Sequence, residues 1–114
     1  MPEQKIIITK TKDRFGNDVT ECNPHLVVLS MSAGDTIVWH SDKGRHRVEI
    51  DSGGRPKPLR IEPWEGPKGQ DSANPGQIEA AAQVNVPFLA LATLLDDNGN
   101  EIAAPGGAVI IIRP

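Results

Sequence analysis

The chain reads as an all-β sandwich of seven to eight strands, and three observations predict this. Eleven glycines and ten prolines cut 114 residues into short apolar runs, which is the rhythm of strands joined by turns rather than of helices. The runs concentrate β-branched residues, as in Ile6-Ile7-Ile8, Val27-Val28 and Ile110-Ile111-Ile112. At residues 46–50 the apolar set His46, Val48, Ile50 alternates with the charged pair Arg47 and Glu49, so one face is turned to a core.

The elements follow in order. Strands are expected at residues 5–11, 26–31, 36–40, 46–50, 77–82, 88–95 and 108–112, each of ordinary strand length. In 36–40, Ile37 and Trp39 share one side and Thr36, Val38 and His40 the other. Residues 78–83 carry some helical propensity, but the run is short and uncapped. The strand at 88–95 is apolar on both sides, which predicts a central strand covered front and back. Asn98-Gly99 closes a tight hairpin, since its central positions favour positive φ. No internal repeat is visible.

Residues 51–76 form one long stretch holding Gly53-Gly54 and five prolines: Pro56, Pro58, Pro63, Pro67 and Pro75. A loop of that length in a compact domain is usually functional or partly disordered. Within it, residues 59–64 read as a short edge strand or a lid. Trp64 either caps the core or stands exposed as an anchor for a protein partner.

The chain is expected to be one domain spanning residues 1–114, large enough to bury roughly two-thirds of its unfolded surface. A net charge of −3 is too small and too mixed for a nucleic-acid or membrane partner. With two Phe, two Trp and no Tyr, stacking platforms for single-stranded nucleic acid are lacking. No run approaches the roughly 20 apolar residues that span a bilayer, so the chain reads as soluble, without membrane insertion. The start lacks the apolar core of a secretion signal. The cytoplasm is the default compartment, and a processed secreted or periplasmic chain given a new Met would read the same. The single cysteine, Cys22, forms no internal disulfide and leaves the compartment open.

One segment resembles a known family. Pro24, the run 26–30, Gly34-Asp35-Thr36-Ile37-Val38-Trp39, the loop 41–45 and His46-Arg47-Val48 follow the order of the early motif of cupredoxins such as plastocyanin and azurin. The resemblance implies a Greek-key sandwich, with His46 at the position of the family's first copper-binding histidine and Ser41 near that of the loop asparagine. The second half departs from the pattern. By phase, Ala92 occupies the place of the copper-binding cysteine and Leu95 that of the second histidine, and no Met precedes Gly107. Blue copper requires a thiolate and two imidazoles, so the resemblance implies a cupredoxin-like domain without type 1 copper. An immunoglobulin-like sandwich is the alternative, and it gives His46 no special place.

The plain reading of His46 is a half-buried core histidine hydrogen-bonded to backbone, because a lone imidazole rarely holds a metal. The sharper reading brings Cys22, His25, His40 and His46 together at one end of the sandwich as soft ligands for copper or zinc. The basic run Lys43-Gly44-Arg45-His46-Arg47 is expected to be solvated, and the acidic turn Asp96 to Glu101 lacks the spacing of a calcium loop. No phosphate loop, nucleophile elbow or paired carboxylate is present, so no enzymatic activity is expected and no catalytic residue is assigned. Two functions remain. One is a non-catalytic module binding a protein partner or a second copy through the 51–76 stretch and Trp64, with no cofactor. The other is copper or zinc storage or sensing through His46.

Overall fold

A computed structural model describes residues 2–60 and 62–114. Among them the chain forms strands and no helix: β1 (Glu3–Lys12), β2 (Asp18–Asn23), β3 (Leu26–Ser30), β4 (Thr36–Ser41), β5 (Arg45–Asp51), β6 (Trp64–Gly66), β7 (Gln70–Asp71), β8 (Gly76–Gln77), β9 (Pro87–Leu95) and β10 (Gly106–Arg113). One sheet runs β2-β1-β4-β7, with β8 also paired to β4, and the other runs β3-β10-β9-β5-β6. Only the β1–β4 and β3–β10 pairings are parallel among the described ladders. The all-β sandwich-like expectation holds, with ten strands among the described residues where seven or eight were expected, because β2 and the two-residue β7 have no counterpart in the sequence reading.

Alternation sets which side of each strand is buried. Ile6 and Ile8 of β1, Leu29 of β3, Ile37 and Trp39 of β4, Val48 of β5, Phe88 and Leu94 of β9, and Ile110 and Ile112 of β10 fill the space between the sheets. These positions are an even number of residues apart along each strand, as the pleat requires.

β2 has no counterpart among the strands expected from sequence. It arises because residues 13–17 form a tight turn in which the Asp13 carboxylate accepts from the amides of Phe15 (2.8 Å) and Asn17 (2.9 Å), with Gly16 at φ +81°. The turn at Asp96 is built the same way, accepting from Asn98 and Asn100 at 2.9 Å each, with Gly99 at φ +83°. Asp13-Arg-Phe-Gly-Asn17 and Asp96-Asp-Asn-Gly-Asn100 share the pattern Asp-x-x-Gly-Asn. Self-capping by aspartate supplies the turn, and glycine supplies the left-handed residue.

The strand expected at residues 77–82 shrinks to β8 plus one bridge from Ile78 to Leu59. Beyond it Ala82 N donates to Glu79 O at 3.0 Å, closing a turn. The run of three alanines offers no branched side chain to hold a strand against the sheet. The long 51–76 stretch is also less free than its prolines imply. It adds β6 to the edge of β5 and β7 to the edge of β4, covering strand edges that would otherwise be open. Ile61, within the segment expected to form an edge strand or lid, lies outside the described residues.

Candidate functional site

His46 is the second residue of β5, facing inward with Val48 and Ile50. It is 1% exposed, and among the described residues neither ring nitrogen has a hydrogen-bond partner. Gly66, paired with it across the β5–β6 ladder, lies so close that any side chain there would run into His46 Nε2. Burial pushes the imidazole below its ordinary value, and the nearby Gly44 and Trp39 backbone oppose this less strongly. His46 is therefore a neutral imidazole sealed under the β6 strap. The backbone of Gly44 and Trp39 lies near the ring, without a hydrogen bond of good geometry among the described residues.

The residue across from it on β9 is Leu94, since the register pairs His46 with Leu94 and Val48 with Ala92. The position facing the imidazole is therefore taken by leucine, on the same inward face as Phe88, Ala90 and Ala92.

The remaining candidate ligands lie elsewhere. His40 sits on the other side of β4, its Nδ1 2.7 Å from Asp71 Oδ1 and its Nε2 3.0 Å from Asp42 Oδ1. Those two carboxylates raise its pKa. Asp71 also pairs with Lys5 at 3.2 Å. Cys22 faces inward from β2 beside Ile8. With β1 between them and their side chains on opposite faces, Cys22 and His40 stand about 10 Å apart. Burial, then the charge of Glu21, pushes the thiol up to about 11. His25 is exposed. Its carbonyl accepts from Val109 N at 2.7 Å, and the ladders from Val109 through Leu89 to Asp51 place it on the order of 20 Å from His46. Cys22, His25, His40 and His46 thus do not converge, and among the described residues no group of three His, Cys, Asp or Glu is placed to hold a metal.

Trp64 opens β6 and is 1% exposed, its ring centroid 5.9 Å from that of Trp39. It caps the core rather than standing out as an anchor, because β6 pairing with β5 turns it inward. The basic run is partly paired, with Arg47 2.7 Å from Glu49. The Asp96 turn is an ordinary hairpin tip.

The feature that sequence reading missed is the outer face of the second sheet. Leu89 and Leu91 of β9 are each 42% exposed, as is Val28 of β3, and Leu26 is 51% exposed. The strand expected to be covered front and back has an uncovered front. Val109 and Ile111 of β10 lie between them, half-buried. A cleft of about 350 Å³ on the same side is lined by Leu91, Thr93, Leu95, Gly99 and Pro105 together with the charged Arg47, Glu49 and Glu101. Two-sided apolarity in 88–95 was the available signal; it equally fits a strand awaiting a partner. No family model and no curated protein matches the chain.

Proposed function

We propose that this chain is a non-catalytic binding module on a cupredoxin-like sandwich without type 1 copper, and that it binds through the outer face of its second sheet. One observation carries the reading: Leu26, Val28, Leu89 and Leu91 stand exposed together on one face. Contiguous apolar surface of this kind marks contact sites, whereas scattered apolar residues do not. The contact through Trp64 expected from sequence is replaced, because that ring is buried.

The test is partner capture by the wild type against the double variant Leu89→Lys, Leu91→Lys. Both side chains point away from the core, so the variant keeps its fold and its melting transition. Loss of capture, or of self-association, supports the reading. Unchanged capture and unchanged association overturn it. For the copper-free scaffold, cupric loading is expected to give no intense blue absorption, and such a band would refute it.

A further inference from the structure

We infer that residues 66–72 form a flap over His46, latched from outside by a charged His40 and released from inside when His46 itself takes a proton. The segment Gly66-Pro-Lys-Gly-Gln-Asp-Ser72 leaves the second sheet at β6 and joins the first at β7, so it spans the gap between β5 and β4. Its two ends close on the imidazole: a Cβ at Gly66 would run into His46 Nε2 and come within 3.0 Å of the Ser72 Cα. Between those ends, residues 67–71 are all exposed. What holds the segment down is polar. Gly69 N donates to Ser41 O at 2.7 Å, Ser72 N to Trp39 O at 2.7 Å, and Trp39 N to Ser72 Oγ at 3.1 Å. A stretch held by backbone bonds, with no buried apolar side chain of its own, opens locally well before the core does.

The latch is Asp71. Its carboxylate lies 2.7 Å from His40 Nδ1 and 3.2 Å from Lys5 Nζ, while His40 Nε2 lies 3.0 Å from Asp42 Oδ1. Carboxylates only accept, so keeping both His40 contacts requires an N–H on each ring nitrogen, which is the imidazolium. Asp42 and then Asp71 hold the ring above its ordinary value accordingly. When His40 does lose its proton, one of the two contacts must go. Ile7, opposite it on β1, and Gln70 of β7 bring no charge. Further charge near the segment comes from Lys68, which shares a hollow with Lys43, Asp96 and Asp97.

Under the flap the sign reverses. Around the His46 ring stand Gly66 of β6, Ser72, Leu94 of β9 and the Trp39 backbone of β4, none of them titratable. Arg45, Arg47 and Glu65 alternate to the opposite face of the sheet, and the charges of His40 and Asp71 act on the ring with opposite sign. Neither nitrogen of His46 has a hydrogen-bond partner among the described residues. A second proton there would bury a charge and two unpaired donors, so it enters only with the flap lifted and water admitted. The closing effect of charged His40 is complete below the ordinary value of 6.5 and is lost as pH rises through its raised one. The closing effect of neutral His46 is complete above 6.5 and is lost as pH falls through its lowered one. Opening should therefore be rarest near pH 6.5 and rise on both sides, by at most about tenfold per pH unit for each site.

The experiment is native-state hydrogen exchange of the purified full chain from about pH 5 to about pH 8, on wild type, H40N, D71N, H46F and H46Q. The amides of Gly69 and Ser72, normalised to their intrinsic exchange rates, report the flap, and those of Ala90 and Ile110 report global unfolding. In the wild type, Gly69 and Ser72 should exchange at least about tenfold faster than the core pair, with a minimum of opening near pH 6.5. H40N should lose the alkaline rise and keep the acid one. D71N should lose the alkaline rise too, and open about threefold more often at about pH 6. H46F and H46Q should both lose the acid rise; the glutamine variant keeps the readout where a phenyl ring does not fit beside Gly66. Flap amides that exchange at the core rate, or a profile flat in pH, overturn the inference. So do an alkaline rise that survives H40N, an acid rise that survives His46 replacement, and a D71N profile identical to the wild type.

Discussion

Trp64→Ala is the sharpest probe of how the 51–76 stretch is used. The ring is 1% exposed and packs on Trp39 at 5.9 Å. An aromatic side chain of this kind removes roughly 200 Å² from water, worth about 5 kcal/mol at about 25 cal/mol per Å². Residual compactness of the unfolded chain trims that to about 3–4.5 kcal/mol. The indole nitrogen has no hydrogen-bond partner among the described residues. Deleting it returns about 1 kcal/mol of desolvation, while the cavity left behind costs a similar amount. The expected loss is therefore about 3–4 kcal/mol, a large share of the roughly 6–17 kcal/mol available to a chain of 114 residues. Urea denaturation followed by circular dichroism and by the remaining Trp39 fluorescence measures it. A Cβ at Gly76 would sit 2.6 Å from Trp64 Cζ2 and 2.9 Å from Ile37 Cγ2. Gly76→Ala should accordingly destabilise the wild type and cost clearly less in the Trp64→Ala background. A loss below about 1 kcal/mol for Trp64→Ala, with additive behaviour at Gly76, would refute the buried strap and return Trp64 to the surface.

Three further outcomes are expected from titratable groups and one from the turns. His46 is held neutral by burial, so the unfolded chain binds its proton more readily; stability is full above the unfolded value near 6.5 and falls as pH drops below it, by no more than about 1.4 kcal/mol per pH unit for this one site. His46→Phe should flatten that slope in denaturation midpoints measured across pH 5–7. His40, raised by Asp42 and Asp71, works in the opposite sense: its stabilisation is present below the unfolded value and lost as pH rises through the folded one. His40→Asn should therefore remove a decline on the alkaline side. Cys22, buried with its pKa pushed up to about 11, should resist thiol reagents in the native protein at pH 8 and react at once in denaturant. Fast native labelling would show that β2 opens. Gly16→Ala and Gly99→Ala, both at positive φ, should each cost about 1 kcal/mol, read as lower urea midpoints.

Sequence alone determined what is local. Period-two alternation in 46–50, β-branched runs and turn residues set the sheet content, the inward direction of His46, Val48 and Ile50, and the hairpin after β9. The missed strand β2 was legible too, through the Asp-x-x-Gly-Asn pattern it shares with the Asp96 turn. Distances between strands were not legible, because register depends on which strands become neighbours. Only the ladders put Leu94 opposite His46, and only they separate His25, His40 and Cys22 from it. Burial of Trp64 and exposure of Leu89 and Leu91 were decided in the same way. An apolar side chain on a strand is covered or bare according to what packs above it, and that is a property of the assembled sheets, not of the run of residues that carries it.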